Sequence, residues 1–165
     1  MKRMFWGFIA LFLVLLFPDA SFAFDTEECY YSCKDTTTID FEGLHAGEVL
    51  SDQYSHLGLT ISSSTKLPAV FDSSNPTGGD TDLGTPNGYY GGPGRPSNSL
   101  TSNKTAQGMI AIIQENLVYD SNGRFKTPDD NYAGGDLILD FDQPVTFDSL
   151  ATIDVKDNGG SVILY

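Results

Sequence analysis

Downstream of residue 23, no window of helical length carries apolar side chains at the three-and-four spacing of an amphipathic helix. The chain offers short runs of period two instead, separated by Gly, Pro, Ser, Thr and Asn. In "TTTIDFEGL", residues 36–44, Ile39 and Phe41 fall on one face and Thr38, Asp40 and Glu42 on the other, which predicts a half-buried strand. "LGLTISSST" (57–65) predicts a short strand, and "PAVFDS" (68–73) another that Pro68 begins. "MIAIIQEN" (109–116), apolar on both faces, predicts a central, doubly buried strand.

Beyond it, Leu137, Leu139 and Phe141 alternate with Ile138, Asp140 and Asp142, and Val145, Phe147, Ala151, Ile153 and Val155 share a face. "DNGG", 157–160, is a tight-turn signal, with "SVILY" opening a further strand. The expectation is an all-β chain, an antiparallel β-sandwich of jelly-roll type. Because the last strand is turned back with no partner after it, the sandwich is expected to lack its final strands. Residues 74–106, rich in Gly, Pro, Ser, Thr and Asn, are expected to form one long loop without regular structure.

Export is expected from the first residues. Lys2 and Arg3 precede an apolar run from Met4 to Phe17, Pro18 breaks it, and Ser21 and Ala23 occupy the positions a signal peptidase reads. That layout makes residues 1–23 a signal peptide, followed by a segment 24–35 with both cysteines and a domain 36–165. The expected location is extracellular or periplasmic, with no membrane insertion after cleavage. The remaining chain has 7 basic against 21 acidic residues, a net charge of −14. Such acidity argues against nucleic acid and anionic membranes as partners, which need Lys and Arg to displace counterions. It suits solubility, cation binding or both. Cys29 and Cys33 in "CYYSC" are read as a local disulfide clip, an intermolecular bridge being the alternative.

Carboxylates gather where the backbone bends most. "NPTGGDTDLGTP" (75–86) holds Asp80 and Asp82; "TPDDNYAGGD" (127–136) holds Asp129, Asp130 and Asp136. A hard divalent ion such as Ca2+ takes six to eight oxygens, roughly, from carboxylates, carbonyls and waters. Asp-x-Asp in a glycine-rich loop supplies them, because alternate side chains converge while glycines let carbonyls turn inward. The same spacing also arises as ordinary turn chemistry, and both readings stand at this point. An EF-hand is excluded: Gly84 and Gly91 occupy ligand positions. Asp140, Asp142, Asp148, Asp154 and Asp157 are read as solvated carboxylates.

"TTTIDFEGL", "FDSSNPTGGDTDLGTP", "IAIIQEN" and "PDDNYAGGDLILDFDQPVTFDSLATIDVKDNGGSVILY" occur in that order. Residues 36–165 thereby resemble secreted bacterial jelly-roll, carbohydrate-binding-like modules of the kind found in proteins with a PEP-CTERM sorting tail. The sorting tail, like the last strands, is expected to be missing from this chain. The resemblance implies a Ca2+-stabilised fold, with the ion near Glu42, Asp80, Asp82, Glu115 and Asp129 or Asp130.

Chemistry-bearing motifs are otherwise sparse. There is no Gly-x-Ser-x-Gly elbow, no His-Glu-x-x-His, and no cysteine beside a base. His45 and His56 share no triad or metal spacing and read as surface residues. A glycosidase needs a carboxylate pair in an aromatic-lined groove. Aromatics are scattered, and the one tryptophan, Trp6, lies in the signal segment. A binding module is the preferred expectation: "GYYGGPG" (88–94) places Tyr89 and Tyr90 on a loop, where aromatic faces suit stacking on sugar rings of a glycan or cell-surface polymer. The alternative is a structural or adhesive surface protein with no discrete ligand.

Overall fold

A computed structural model describes residues 36–96, 103–153 and 160–165. The signal segment, the Cys29–Cys33 pair and all of the 157–160 turn except Gly160 lie outside the described residues. The chain divides into two units, Met1–Thr37 and Thr38–Tyr165, and the second carries the fold.

Among the described residues, four strands form two antiparallel pairs. β1 (Leu59–Ser62) pairs with β4 (Ile138–Phe141), Leu59 opposite Phe141. β2 (Pro68–Asp72) pairs with β3 (Met109–Ile113), Pro68 opposite Ile113. A further extended segment flanks β2 on its other side: Gly47 N–H donates to Val70 C=O (2.8 Å), Val70 N–H to Glu48 C=O (2.9 Å) and Leu50 N–H to Pro68 C=O (2.9 Å). Pro68 can open β2 because it needs to supply only an acceptor there. Among the described residues there is no α-helix, and no helix long and apolar enough to cross a membrane. The chain is all-β.

The sheet of β2 and β3 has apolar residues on both faces because its alternation feeds two clusters. Ala69 and Phe71 of β2 and Ile112 of β3 pack with Leu83 and Phe125, with Val49, Ile110 and Ile153 at the margin. Val70 points the other way, to Leu50, Leu59 and Ile61, with Met109, Ala111 and Phe141 packed against them. The second cluster thus lies between the β2 and β3 pair and the β1 and β4 pair. β2, buried from Pro68 to Phe71, is the central strand; β3, expected to hold that place, is half-buried except at Ile112.

Two further expectations are corrected. Residues 36–44 form no strand: Phe41 adopts a positive φ of 63°, and Leu44 N–H closes a turn on Phe41 C=O (3.0 Å). Ile39, Phe41 and Leu44 still lean on the second cluster, so their alternation reports burial without a ladder. Val145–Ile153 and Gly160–Tyr165 show no strand among the described residues, although Ile153 reaches the first cluster.

The described parts of residues 74–106 hold no strand, as expected of a loop, but are closely organised. Gly88–Tyr90 is a 3-10 turn capped by Asn87, whose Oδ1 accepts Tyr89 N–H (3.1 Å). A buried polar knot anchors the loop to β2: the Ser73 and Thr85 hydroxyls bond each other (2.6 Å), Ser73 Oγ donates to Gly108 C=O (2.7 Å), and Gln107 N–H donates to Thr85 Oγ1 (2.8 Å). Main-chain groups that would be costly to bury alone are satisfied by side chains here.

Candidate cation site and tyrosine loop

The two acidic loops meet. Asp130 N–H donates to Asp80 Oδ2 (2.7 Å), and the carboxyls of Asp129 and Asp130 lie near enough to act on that of Asp80. Thr77 Oγ1 donates to Pro128 C=O (2.6 Å), a second tie between the same loops. Gly78 lies against Asp129 so closely that a side chain there would collide with its carboxylate, and its φ of 68° independently favours glycine.

Gln114, fully buried just past β3, fixes the second loop. Its Nε2 donates to Thr127 C=O (3.1 Å) and its Oε1 accepts Asp129 N–H (3.1 Å). On either side, Glu115 N–H donates to Asp129 C=O (2.7 Å) and Asn131 N–H to Ile113 C=O (2.7 Å). Asn116 Nδ2 reaches Asp129 Oδ2 at 3.4 Å. Lys66 Nζ donates to Glu115 C=O (2.8 Å) and Asn131 Oδ1 (3.0 Å). The aspartates are therefore held by a polar scaffold.

That scaffold imposes a charge problem. Burial, followed by the negative charge and carboxyl contacts of its neighbours, pushes the Asp80 carboxyl up to about 7, although the Asp130 N–H pulls the other way. None of the influences on Asp80 is a cation. At neutral pH the Asp80 carboxyl therefore sits near its half-protonated point, where neighbouring negative charge resists its full ionisation.

Of the six residues expected around an ion, the structure brings Asp80, Asp129 and Asp130 together. Glu115 contributes its backbone to the same loop. Asp82 is half-buried one turn away, its C=O accepting from Asn103 Nδ2 (3.1 Å). Glu42 is engaged at the start of β3, where Oε1 accepts Met109 N–H (2.9 Å). The three aspartates meet through Asp80 rather than around one point, and among the described residues no three His, Cys, Asp or Glu side chains are arranged to hold a metal ion. As a donor set they are all hard oxygen, the chemistry Ca2+ takes. Gln114, Asn116, Asn131 and Lys66 escaped sequence reasoning. A polar residue closing an apolar strand, as Gln114 does, is the one signal that could have found them.

The tyrosine loop is a second feature. The Tyr89 and Tyr90 rings meet edge to face, centroids 5.0 Å apart at 80°, and Tyr89 is 57 % exposed. Gly88 N–H donates to Gly94 C=O (2.8 Å) and Asn87 N–H to Asn103 C=O (2.9 Å). Gly84, Gly92 and Gly94 sit so close to facing backbone that none has room for a Cβ. The composition that suggested a loose loop is what permits this packing. His45 and His56 are exposed, as expected. No protein-family model, curated protein or solved structure matches the chain.

Proposed function

We propose that the chain is an exported, jelly-roll-like β-sandwich module that binds a glycan, its two acidic loops drawn together by Ca2+. The convergence of Asp80 with Asp129 and Asp130, some 50 residues apart in sequence, carries the reading. A scaffold that forces carboxylates into contact is stable at neutral pH only if a proton or a cation offsets their repulsion. The sandwich is supported by the Val70 face of one sheet packing on Leu59, Ile61 and Phe141 of the other. The signal-like N-terminus supports export, and the exposed Tyr89 supports ring stacking.

Calorimetric titration of Ca2+ into chelator-stripped protein tests the ion, and a glycan array run with and without Ca2+ tests the ligand. Saturable binding in the sub-millimolar range, lost in Asp80→Asn/Asp129→Asn, is expected; Tyr89→Ala is expected to abolish array binding. A flat titration removes the ion, and silence across the array leaves a structural surface module in place of a binding one.

A further inference from the structure

The acids of this chain are unevenly spread. From Leu83 to Gln114 there is no Asp or Glu, while the same stretch holds Arg95 and Lys104. The next acids are Asp82, inside the first acidic loop, and Glu115, just past β3. In a chain of net charge −13 this is a local inversion of sign, and it coincides with the tyrosine loop.

The fold ties the backbone beside both cations to the start of the tyrosine turn. Arg95 follows Gly94, whose C=O accepts Gly88 N–H, and Arg95 N–H is itself tied to Thr81 C=O. A Cβ on Gly88 would stand 3.1 Å from Pro96 Cγ, so the Arg95–Pro96 strand runs along the start of the Gly88–Tyr90 turn. Lys104 follows Asn103, whose C=O accepts Asn87 N–H at the other flank. Arg95 and Lys104 are both exposed. The other described cations have other places: Lys66 is held by Glu115 and Asn131, and Arg124 and Lys126 belong to the hairpin closed by the Tyr119–Phe125 bridge.

We infer that the Tyr89–Tyr90 loop, flanked by Arg95 and Lys104, recognises an anionic sugar polymer, one bearing uronate or sulfate groups. The inference rests on the glycan-binding reading above and names its ligand class. The physical case has two parts. Tyrosine faces stack on the apolar face of a pyranose whatever its charge. The field of an acidic protein repels polyanions everywhere except where cations outnumber acids, so sign is set locally. Arg95 then suits the task because its planar fork meets a carboxylate or sulfate with paired hydrogen bonds. The packed glycines and the Asn87 cap fix the loop beforehand, which keeps the ordering penalty of binding low.

The test titrates soluble oligogalacturonate, a sulfated oligosaccharide and a neutral oligosaccharide of equal length into the intact protein, in EDTA and again in about 1 mM CaCl2. The anionic sugars are expected to bind about tenfold tighter than the neutral one, with the preference shrinking as NaCl rises. Arg95→Gln and Lys104→Gln, exposed changes that leave the melting curve in place, are expected to weaken the anionic sugars about tenfold and the neutral one little. Uronate above sulfate, or the reverse, identifies the acidic group and supports the inference either way. Equal affinity for neutral and anionic sugars overturns the inference and leaves the glycan-binding reading standing. Anionic binding that needs Ca2+ and ignores Arg95→Gln assigns the anion to the acidic loops and overturns it too. No sugar binding at all overturns both.

Discussion

Two side chains decide the state of the acidic loops. Gln114 donates to Thr127 C=O and accepts from Asp129 N–H while fully buried, so Gln114→Leu keeps the volume and strands both groups. Orphaned buried polar groups cost about 1–3 kcal/mol each. Urea unfolding should therefore show a loss of about 2 kcal/mol, and Ca2+ affinity should fall with it, because the Asp129 turn is no longer held. Asp80 acts through its proton. Its folded carboxyl sits at about 7 against an ordinary 3.8, so the folded state holds the proton more tightly than the unfolded one. Its stabilisation is fully present below about pH 4 and is lost as pH rises through about 7. In EDTA the melting temperature should decline between pH 4.5 and 7.5 on that account, roughly the window the two values span. Asp80→Asn should flatten the decline, and an unchanged slope in that variant would remove the assignment. Asp120 works oppositely: the Arg124 N–H and its other donors hold its carboxyl below the ordinary range, which favours the fold above that range and not below it. Sequence spacing singled out Asp80, Asp129 and Asp130 because glycines and prolines surround them. It missed Gln114, Asn116, Asn131 and Lys66 because their roles depend on partners that local spacing does not encode.

At the scale of elements, β1 to β4 were legible wherever side-chain alternation coincided with a partner on at least one edge. Pro68 marked the start of β2, and Leu59 and Ile61 marked the buried face of β1. Residues 36–44 show the same alternation without a ladder, since a turn at Phe41 takes the backbone out of extended geometry. Alternation reads burial first and hydrogen bonding second. The long loop is the converse case, irregular in its described parts as expected yet closely packed. Glycine and proline usually announce freedom, yet Gly84, Gly92 and Gly94 are there because facing backbone leaves no room for a side chain. This gives a separable prediction. Gly94→Ala forces the loop apart at Gly84, the new Cβ meeting backbone of Gly84 and Asn87 rather than an apolar side chain. Glycan affinity should collapse at least tenfold, roughly what losing one well-placed aromatic contact and its ordering would do. The far-ultraviolet spectrum should hold, with heteronuclear NMR shifts confined to the loop. Shifts spread over β2 and β3 would instead make the loop part of the core.

Across the whole molecule, net charge and ion binding pull on the same quantity and must be told apart. With a formal charge of −13, any added salt screens self-repulsion and raises stability, whatever the loops do. A bound Ca2+ adds a term that screening lacks, because it neutralises carboxylates already in contact and stabilises the folded state by mass action. At a Ca2+ concentration about ten times a Kd of about 0.1 mM, that term is about 1.4 kcal/mol. Thermal melts in EDTA, in about 1 mM CaCl2 and in NaCl of matched ionic strength separate the two. Calcium should raise the midpoint by several degrees above the matched NaCl sample, and Asp80→Asn/Asp129→Asn should erase that margin. The remaining, purely ionic increment should persist in the double variant. It depends on the acids along the whole chain, whereas the calcium margin depends only on the few that two distant loops press together. Coincident melts in calcium and matched sodium chloride would leave the contact between Asp80, Asp129 and Asp130 as a proton-sharing cluster, with no role for a metal.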